Sequence, residues 1–140
     1  ENGYCNEPRD AFTEYLGRNG LAYVEREKVT PEEAVRTLTR VGGVPVLAHP
    51  AYLKNMETSI AKLKAVGLLG LEVHYAQFDA DTIRKLERLA AQYDLIPCGG
   101  SDYHGLGNSG EPLPGTLGPP LSTVERLEEA ASKLAQAYGH

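Results

Sequence analysis

Apolar residues recur three and four positions apart in three stretches of the middle of the chain. This spacing predicts amphipathic helices, because residues at i, i+3 and i+4 share one helix face. A capping box, Thr30-Pro31-Glu32-Glu33, marks the start of the first helix, and either Asp79 or Asp81 caps the third. The predicted helices cover about residues 31–41, 58–66 and 80–93.

Short apolar runs separate these helices, and turn residues bound each run. Such runs are typical of strands buried in a parallel sheet. They are VPVLA at 44–48, LLGLEV at 68–73 and LIPCGG at 95–100. Because helices and strands alternate, the sequence predicts an α/β fold with three parallel strands and crossover helices.

Both ends of the chain differ from this middle. Residues 1–28 predict one short helix, with Asn6 as its N-cap, followed by an extended segment. Residues 105–120 are too rich in Gly and Pro to hold a regular element, and a loop of this length is usually functional. Ser122 and Glu125 form a second capping box, which predicts a last helix.

Length and composition limit the function classes. The chain has 140 residues and a formal net charge of −5, which argues against a general electrostatic grip on nucleic acid. Its two cysteines, Cys5 and Cys98, form no C-x-x-C pattern and fit a reducing, cytoplasmic environment. We expect neither a membrane span nor a signal peptide, since no apolar run approaches roughly 18 residues.

Each predicted strand leads to polar residues of metal-ligand type. The first leads to His49, the second carries Glu72 and His74, and the third leads to Asp102 and His104. The carboxyl ends of parallel strands meet at one edge, where α/β proteins form their sites. Residues 102 and 104 lie two apart, so extended geometry would direct both side chains to one side.

Each of these residues also has a simpler interpretation. His49 is compatible with a structural histidine at a turn, and His74 with a surface position on a strand. Glu72 lies in an apolar strand, where a carboxylate is costly unless it is paired or metal-bound, but a plain salt bridge would satisfy it. Asp102 is compatible with a loop cap. Their common place at the strand ends is what favours a functional site.

The donor set contains nitrogen and oxygen but no thiolate, which suits Zn, Mn or Fe. Two such ions can generate hydroxide, bind phosphoryl oxygens and stabilise a leaving oxygen, so the set favours hydrolysis of phosphate esters. The sequence lacks a P-loop, a G-x-S-x-G nucleophile turn and an H-E-x-x-H zinc helix.

Three stretches resemble one known family. VLAHP at 46–50, GLEVHY at 70–75 and CGGSDYHG at 98–105 are similar to the C-terminal half of the polymerase and histidinol phosphatase (PHP) superfamily. The resemblance is greatest to its bacterial metal-dependent phosphoesterases, which include nucleoside 3′,5′-bisphosphate phosphatases and a 5′-to-3′ exoribonuclease. Residues 11–35 also resemble the segment that joins the helical insertion of this subfamily to its barrel.

The resemblance implies a distorted (β/α)7 barrel, a TIM-like fold with two or three metal ions at the carboxyl ends of its strands. It implies that His49, Asp102 and His104 are metal ligands, and that Glu72 orients a ligand beside them. On this resemblance we expect Glu72 and His74 to be catalytic residues, although related sequences often have Tyr-His where this chain has His-Tyr.

The implied activity is metal-dependent hydrolysis of phosphate esters of nucleotides or short oligonucleotides. A histidinol-phosphate-type phosphatase and a non-catalytic α/β assembly module derived from a PHP domain remain the alternatives. Arg18 and Arg26 are candidates for binding substrate phosphate, because Arg contacts phosphate in a bidentate manner. The alternative for both is a solvent-exposed surface charge.

The N-terminal metal ligands of the family have no counterpart here, so the chain resembles a C-terminal portion. Residues 1–29 would be the end of the helical insertion and its connection, and residues 30–140 the C-terminal part of the barrel. Alone, this portion is expected to bind metal weakly and to be inactive. Its open strand edges favour a homodimer or pairing with a missing N-terminal half.

Overall fold

A computed structural model of the chain describes residues 3–25, 28–105 and 112–139. Within these ranges, helices and strands alternate in the predicted order. A π-helical turn, Phe12–Leu16, extends the first helix, and a 3-10 turn, Pro50–Tyr52, follows the first strand. The main elements are α1 (Pro8–Ala11), α2 (Pro31–Arg40), β1 (Val46–Leu47), α3 (Met56–Lys64), β2 (Gly70–Tyr75), α4 (Ala80–Gln92), β3 (Ile96–Gly100) and α5 (Ser122–Tyr138).

The three strands form one parallel sheet in the order β1-β2-β3. Gly70 starts the central strand, opposite Val46 of β1 on one side and Ile96 of β3 on the other. The pairing of β2 with β3 shifts register between Glu72 and His74. The predicted α/β fold, with three parallel strands alternating with helices, is therefore confirmed, and all three strands point their carboxyl ends to one edge.

One continuous hydrophobic cluster joins the central strand to α2, α3 and α4. Alternate residues of β2 lie in this cluster, and burying each large apolar side chain contributes about 1.5–3 kcal/mol. No described helix is long and apolar enough to cross a membrane. The residues of this cluster that are 0% exposed are Ile60, Leu71, Val73, Leu86 and Ala90.

Two helix starts follow the predicted chemistry. In α2, Thr30 Oγ1 accepts a hydrogen bond from the Glu33 N–H at 3.2 Å, and the Thr30 N–H donates to Glu33 Oε2 at 2.8 Å. In α4, the Asp79 carboxylate accepts from the Thr82 N–H at 2.8 Å. These backbone hydrogen bonds lower the pKa of Glu33 and of Asp79 below their ordinary values.

The starts of α1 and α5 differ from the prediction. The N-cap of α1 is Glu7 rather than Asn6, and it forms a capping box with Asp10. The predicted box of Ser122 with Glu125 is also wrong, because the chain already has helical angles at Leu121 and Ser122 lies inside the first turn.

The start of α5 is tied to the sheet instead. The buried Thr123 side chain donates from Oγ1 to the Pro97 carbonyl oxygen at 3.0 Å. This hydrogen bond holds the first turn of α5 against β3. The described part of the Gly/Pro loop, Gly105 and residues 112–120, contains no helix or strand, as predicted.

Candidate metal centre

His49 follows β1 at the carboxyl edge of the sheet. Its backbone has a φ of 49°, in the left-handed region, which costs a residue other than glycine roughly 1–2 kcal/mol. A hydrogen bond from the His49 N–H to Glu72 Oε2 at 2.7 Å stabilises this conformation. The buried Pro50, which starts the 3-10 turn, fixes the chain on the other side.

Glu72 connects the central strand to this segment. Besides accepting the His49 N–H, its Oε2 lies 3.5 Å from His49 Nε2, and its side chain is only 14% exposed. Burying a carboxylate is costly unless it has such partners. Glu72 therefore fixes both the backbone and the ring of His49 in position.

Asp102 brings a second carboxylate to the same imidazole. Its Oδ2 lies 3.5 Å from His49 Nε2. The backbone of Asp102 has a φ of 53°, so the chain turns there and the expected extended geometry of residues 102–104 is wrong. His104 is exposed, and its Nδ1 lies 2.6 Å from the carbonyl oxygen of Asp102 rather than beside its carboxylate.

Sequence reasoning did not single out Tyr75, the last residue of β2. Its hydroxyl donates to Asp102 Oδ2 at 3.2 Å, and its ring centre lies 4.8 Å from that of His49. Tyr75 is only 5% exposed. Burial raises the pKa of the phenol, and the hydrogen bond to Asp102 adds to this, so the hydroxyl remains a donor. The signal that could have found it was its place at the carboxyl end of the central strand.

Four rings pack beside the two carboxylates. The His49 and Tyr75 rings are tilted by 32°, and Phe78 packs against Tyr75 with ring centres 4.9 Å apart. Tyr52 completes the group, with its ring centre 6.1 Å from His49 and 5.8 Å from Phe78. This ring cluster of His49, Tyr52, Tyr75 and Phe78 limits the movement of the imidazole.

The spacing of the donor atoms fits a bound ion in part. The 3.5 Å from His49 Nε2 to each carboxylate is close to the ~3.4 Å between two ligands that each lie about 2.1 Å from a tetrahedral ion. Among the residues that the structure describes, however, no group of three or more His, Cys, Asp and Glu side chains is arranged to hold a metal. This part of the chain offers donor pairs rather than a complete ligand set.

The remaining candidates are not joined to this centre. His74 lies partly buried in β2, and within the described ranges no hydrogen bond or ion pair joins its side chain to His49, Glu72 or Asp102. Arg18 is exposed beyond the π-helical turn. Arg26 lies outside the described residues.

The imidazole of His49 and its two neighbouring carboxylates lie at the carboxyl ends of parallel strands, where α/β proteins form their sites. No protein-family model matches the chain. It is 30% identical over 114 residues to the 3′,5′-nucleoside bisphosphate phosphatase of Chromobacterium violaceum, a match that covers 79% of this chain and 40% of that protein. It is 31% identical over 106 residues to the 5′-3′ exoribonuclease of Haemophilus influenzae, covering 73% and 39%.

A third relative has a different phosphate ester in its name. It is the phosphoribosyl 1,2-cyclic phosphate 1,2-diphosphodiesterase of Eggerthella lenta, 31% identical over 97 residues, with 69% of this chain and 37% of that protein covered.

Solved structures agree with these relatives. A protein of Bifidobacterium adolescentis, described as a metal-dependent phosphoesterase, matches with a TM-score of 0.68 at 28% identity, covering 87% of this chain and 44% of its own. An amidohydrolase of Chromobacterium violaceum, solved with sulfate and no metal, matches with a TM-score of 0.65 at 26% identity, covering 91% and 46%. The chain belongs to the PHP family of phosphoesterases. It spans about 40% of the length of the curated relatives it matches.

Proposed function

We propose that this chain supplies part of the active site of a metal-dependent phosphoesterase that hydrolyses phosphate esters of nucleotides or short oligonucleotides. The observation that carries the proposal is the place of His49 between Glu72 and Asp102, since each of the three comes from a different strand or strand end. The names of the relatives support the reaction class, because each describes the cleavage of a phosphate ester.

In this proposal His49, Asp102 and His104 bind divalent metal, with two or three ions of Mn, Zn or Fe in the complete site. Such ions, when bound, acidify water and polarise phosphoryl oxygens. The Nδ1 of His104 lies 2.6 Å from a backbone carbonyl, and a metal-binding histidine usually directs its second ring nitrogen to such an acceptor. His104 would therefore bind through Nε2.

The other residues act on these ligands or on substrate. Glu72 holds His49 through the backbone N–H, and Tyr75 holds the carboxylate of Asp102. His74 is proposed as a second catalytic residue on β2. Arg18 and Arg26 are proposed to contact substrate phosphate from the N-terminal segment. In this proposal the N-terminal segment lies over the site.

The missing ligands would come from protein outside this chain. A homodimer or an N-terminal half that pairs with the open sheet edges would supply them. The repulsion between the carboxylates of Glu72 and Asp102 across one imidazole is a reason for the complete site to attract cations. The division into a connecting segment at 1–29 and a barrel portion at 30–140 remains a prediction.

The first test is the metal content of the chain, measured by elemental analysis after equilibration with Mn²⁺ or Zn²⁺ and removal of unbound ions. His49→Gly and Asp102→Gly are the informative variants, because glycine accepts the left-handed backbone found at both positions. Glu87→Ala, which removes an exposed carboxylate from α4, is the control. Because the ligand set in the described residues is incomplete, we expect the parent and the control to retain only part of an equivalent of metal, and both glycine variants to retain less.

Other results would change the assignment. Metal retained at the parent's level in both glycine variants would place the binding site elsewhere. No metal in a folded parent, under conditions where a folded PHP relative binds it, would mean either that the missing ligands are indispensable or that these residues are structural, as in the non-catalytic assembly module. Hydrolysis by the complete protein of nucleoside 3′,5′-bisphosphate, compared with histidinol phosphate, separates the two enzymatic alternatives.

A further inference from the structure

Tyr52 is an exposed aromatic residue beside the candidate metal centre. It ends the 3-10 turn that begins immediately after His49, and its ring centre lies 6.1 Å from that of His49. Tyr52 is 62% exposed, whereas Tyr75 and Phe78 of the same ring cluster are buried. An exposed aromatic ring therefore lies beside the candidate metal centre.

The Tyr52 ring is held in place despite this exposure. Its plane is inclined by 70° to the His49 ring and by 68° to the Phe78 ring, and its hydroxyl lies 3.3 Å from Gln77 Oε1. Neither neighbouring ring occupies the parallel position that a stacked ligand takes. A ring that is already immobilised loses little conformational freedom when a ligand packs on it.

We infer that Tyr52 stacks on the base of a nucleotide whose phosphate would be held by metal bound at His49 and Asp102. The inference rests on the proposed function, because it is the phosphate position that brings a base to this ring. One ribose separates phosphate from base in a nucleotide, and the ring centre of Tyr52 lies 6.1 Å from that of His49. Every base has a π-face, so this contact favours nucleotides over base-free sugar phosphates without selecting one base.

The test compares two ligands that differ only in the base. One is 2′-deoxyadenosine 3′,5′-bisphosphate, and the other is its abasic analogue, in which hydrogen replaces adenine. Dissociation constants are measured calorimetrically with Mn²⁺ present, for the parent chain and for Tyr52→Ala and Tyr52→Phe. The control is Tyr138→Ala, which removes another exposed tyrosine, at the end of α5.

The parent and the control should bind the adenine ligand about 5- to 150-fold more tightly than the abasic one, the preference expected from one base stacked on an aromatic ring. Tyr52→Ala should abolish this preference, and Tyr52→Phe should keep most of it. A preference that survives in Tyr52→Ala would overturn the inference. An equal loss of affinity for both ligands would also overturn the inference, because Tyr52 would then act by supporting His49. A parent chain that binds neither ligand would overturn it as well.

Asp102→Gly separates this inference from the proposed function. If the phosphate lies at Asp102, this variant should weaken both ligands by the same factor. If it weakens neither ligand while Tyr52→Ala still abolishes the adenine preference, the stacking contact stands and the proposed phosphate site fails.

Discussion

Tyr75→Phe tests the connection between the central strand and the segment after β3. The substitution removes one hydroxyl, which donates to Asp102 Oδ2 at 3.2 Å. The phenyl ring keeps the contacts with His49 at 4.8 Å and Phe78 at 4.9 Å. Loss of the hydrogen bond is therefore the only intended change at a position that is 5% exposed.

The expected loss of stability follows from the two partners of this hydrogen bond. A typical hydrogen bond contributes about 0.5–1.5 kcal/mol net, and one to a charged group about 1.5–3 kcal/mol. The side chain of Asp102 is 32% exposed, so water replaces part of what the phenol donates. We expect Tyr75→Phe to lower the free energy of unfolding by about 1 kcal/mol.

The assay is a double-mutant cycle of Tyr75→Phe and Asp102→Ala, in which circular dichroism measures the urea unfolding of each variant. The cost of alanine in a left-handed backbone occurs in both Asp102 variants and cancels in the cycle. A coupling of about 0.5–1 kcal/mol is expected, above the ~0.3–0.5 kcal/mol within which independent sites add. A coupling below that limit, or an equal effect of Tyr52→Phe, would refute the hydrogen bond as the cause.

Three further predictions concern the sheet and the helix starts. Gly99→Ala should lower the free energy of unfolding by about 1–3 kcal/mol, because a Cβ there would overlap the carbonyl oxygen of His74 in β2. Gly100→Ala is the control: a Cβ there would have no atom within 4 Å, so the free energy of unfolding in urea should change by less than about 0.5 kcal/mol. Thr30→Ala should cost about 1 kcal/mol in the same assay, the usual loss for an N-cap, and a neutral result would mean that the cap does not support α2. The Thr82 N–H lowers the pKa of Asp79, so the contribution of this carboxylate is present above its unfolded-state pKa of about 3.9 and is lost as the pH falls through the lower folded value. Hydrogen exchange of the Thr82 amide should accelerate in that window in the parent and much less in Asp79→Asn, which keeps a neutral cap.

Two helix starts that depend on neighbouring residues were predictable from the sequence, whereas the N-cap of α1 was not. The box of Thr30 with Glu33 and the cap at Asp79 need only residues three positions apart, and both form. The box of Ser122 did not form because Leu121 already has helical angles, which depend on how Thr123 is tied to β3. That contact lies 26 residues away along the chain, and a local pattern contains no information about it.

The geometry of the candidate site was also predictable only in part. The place of His49, Glu72 and Asp102 at one edge followed from the parallel sheet, and the structure brings these three together. The prediction that Asp102 and His104 lie in extended geometry was wrong, because the left-handed backbone of Asp102 turns the chain. Asp is one of the few residue types that adopt this conformation readily, so a turn was available as an alternative to the extended geometry.

Because of the register shift between Glu72 and His74, the number of residues in the central strand determines where its carboxyl end meets the site. Deleting Val73 would make the pairing with β3 regular while His74 and Tyr75 keep Gly99 and Gly100 as partners. It would also exchange the faces on which those side chains lie, and the phenol of Tyr75 would no longer meet Asp102. Between β2 and the site, substitutions change one contact at a time, whereas a gain or loss of one residue changes the whole connection.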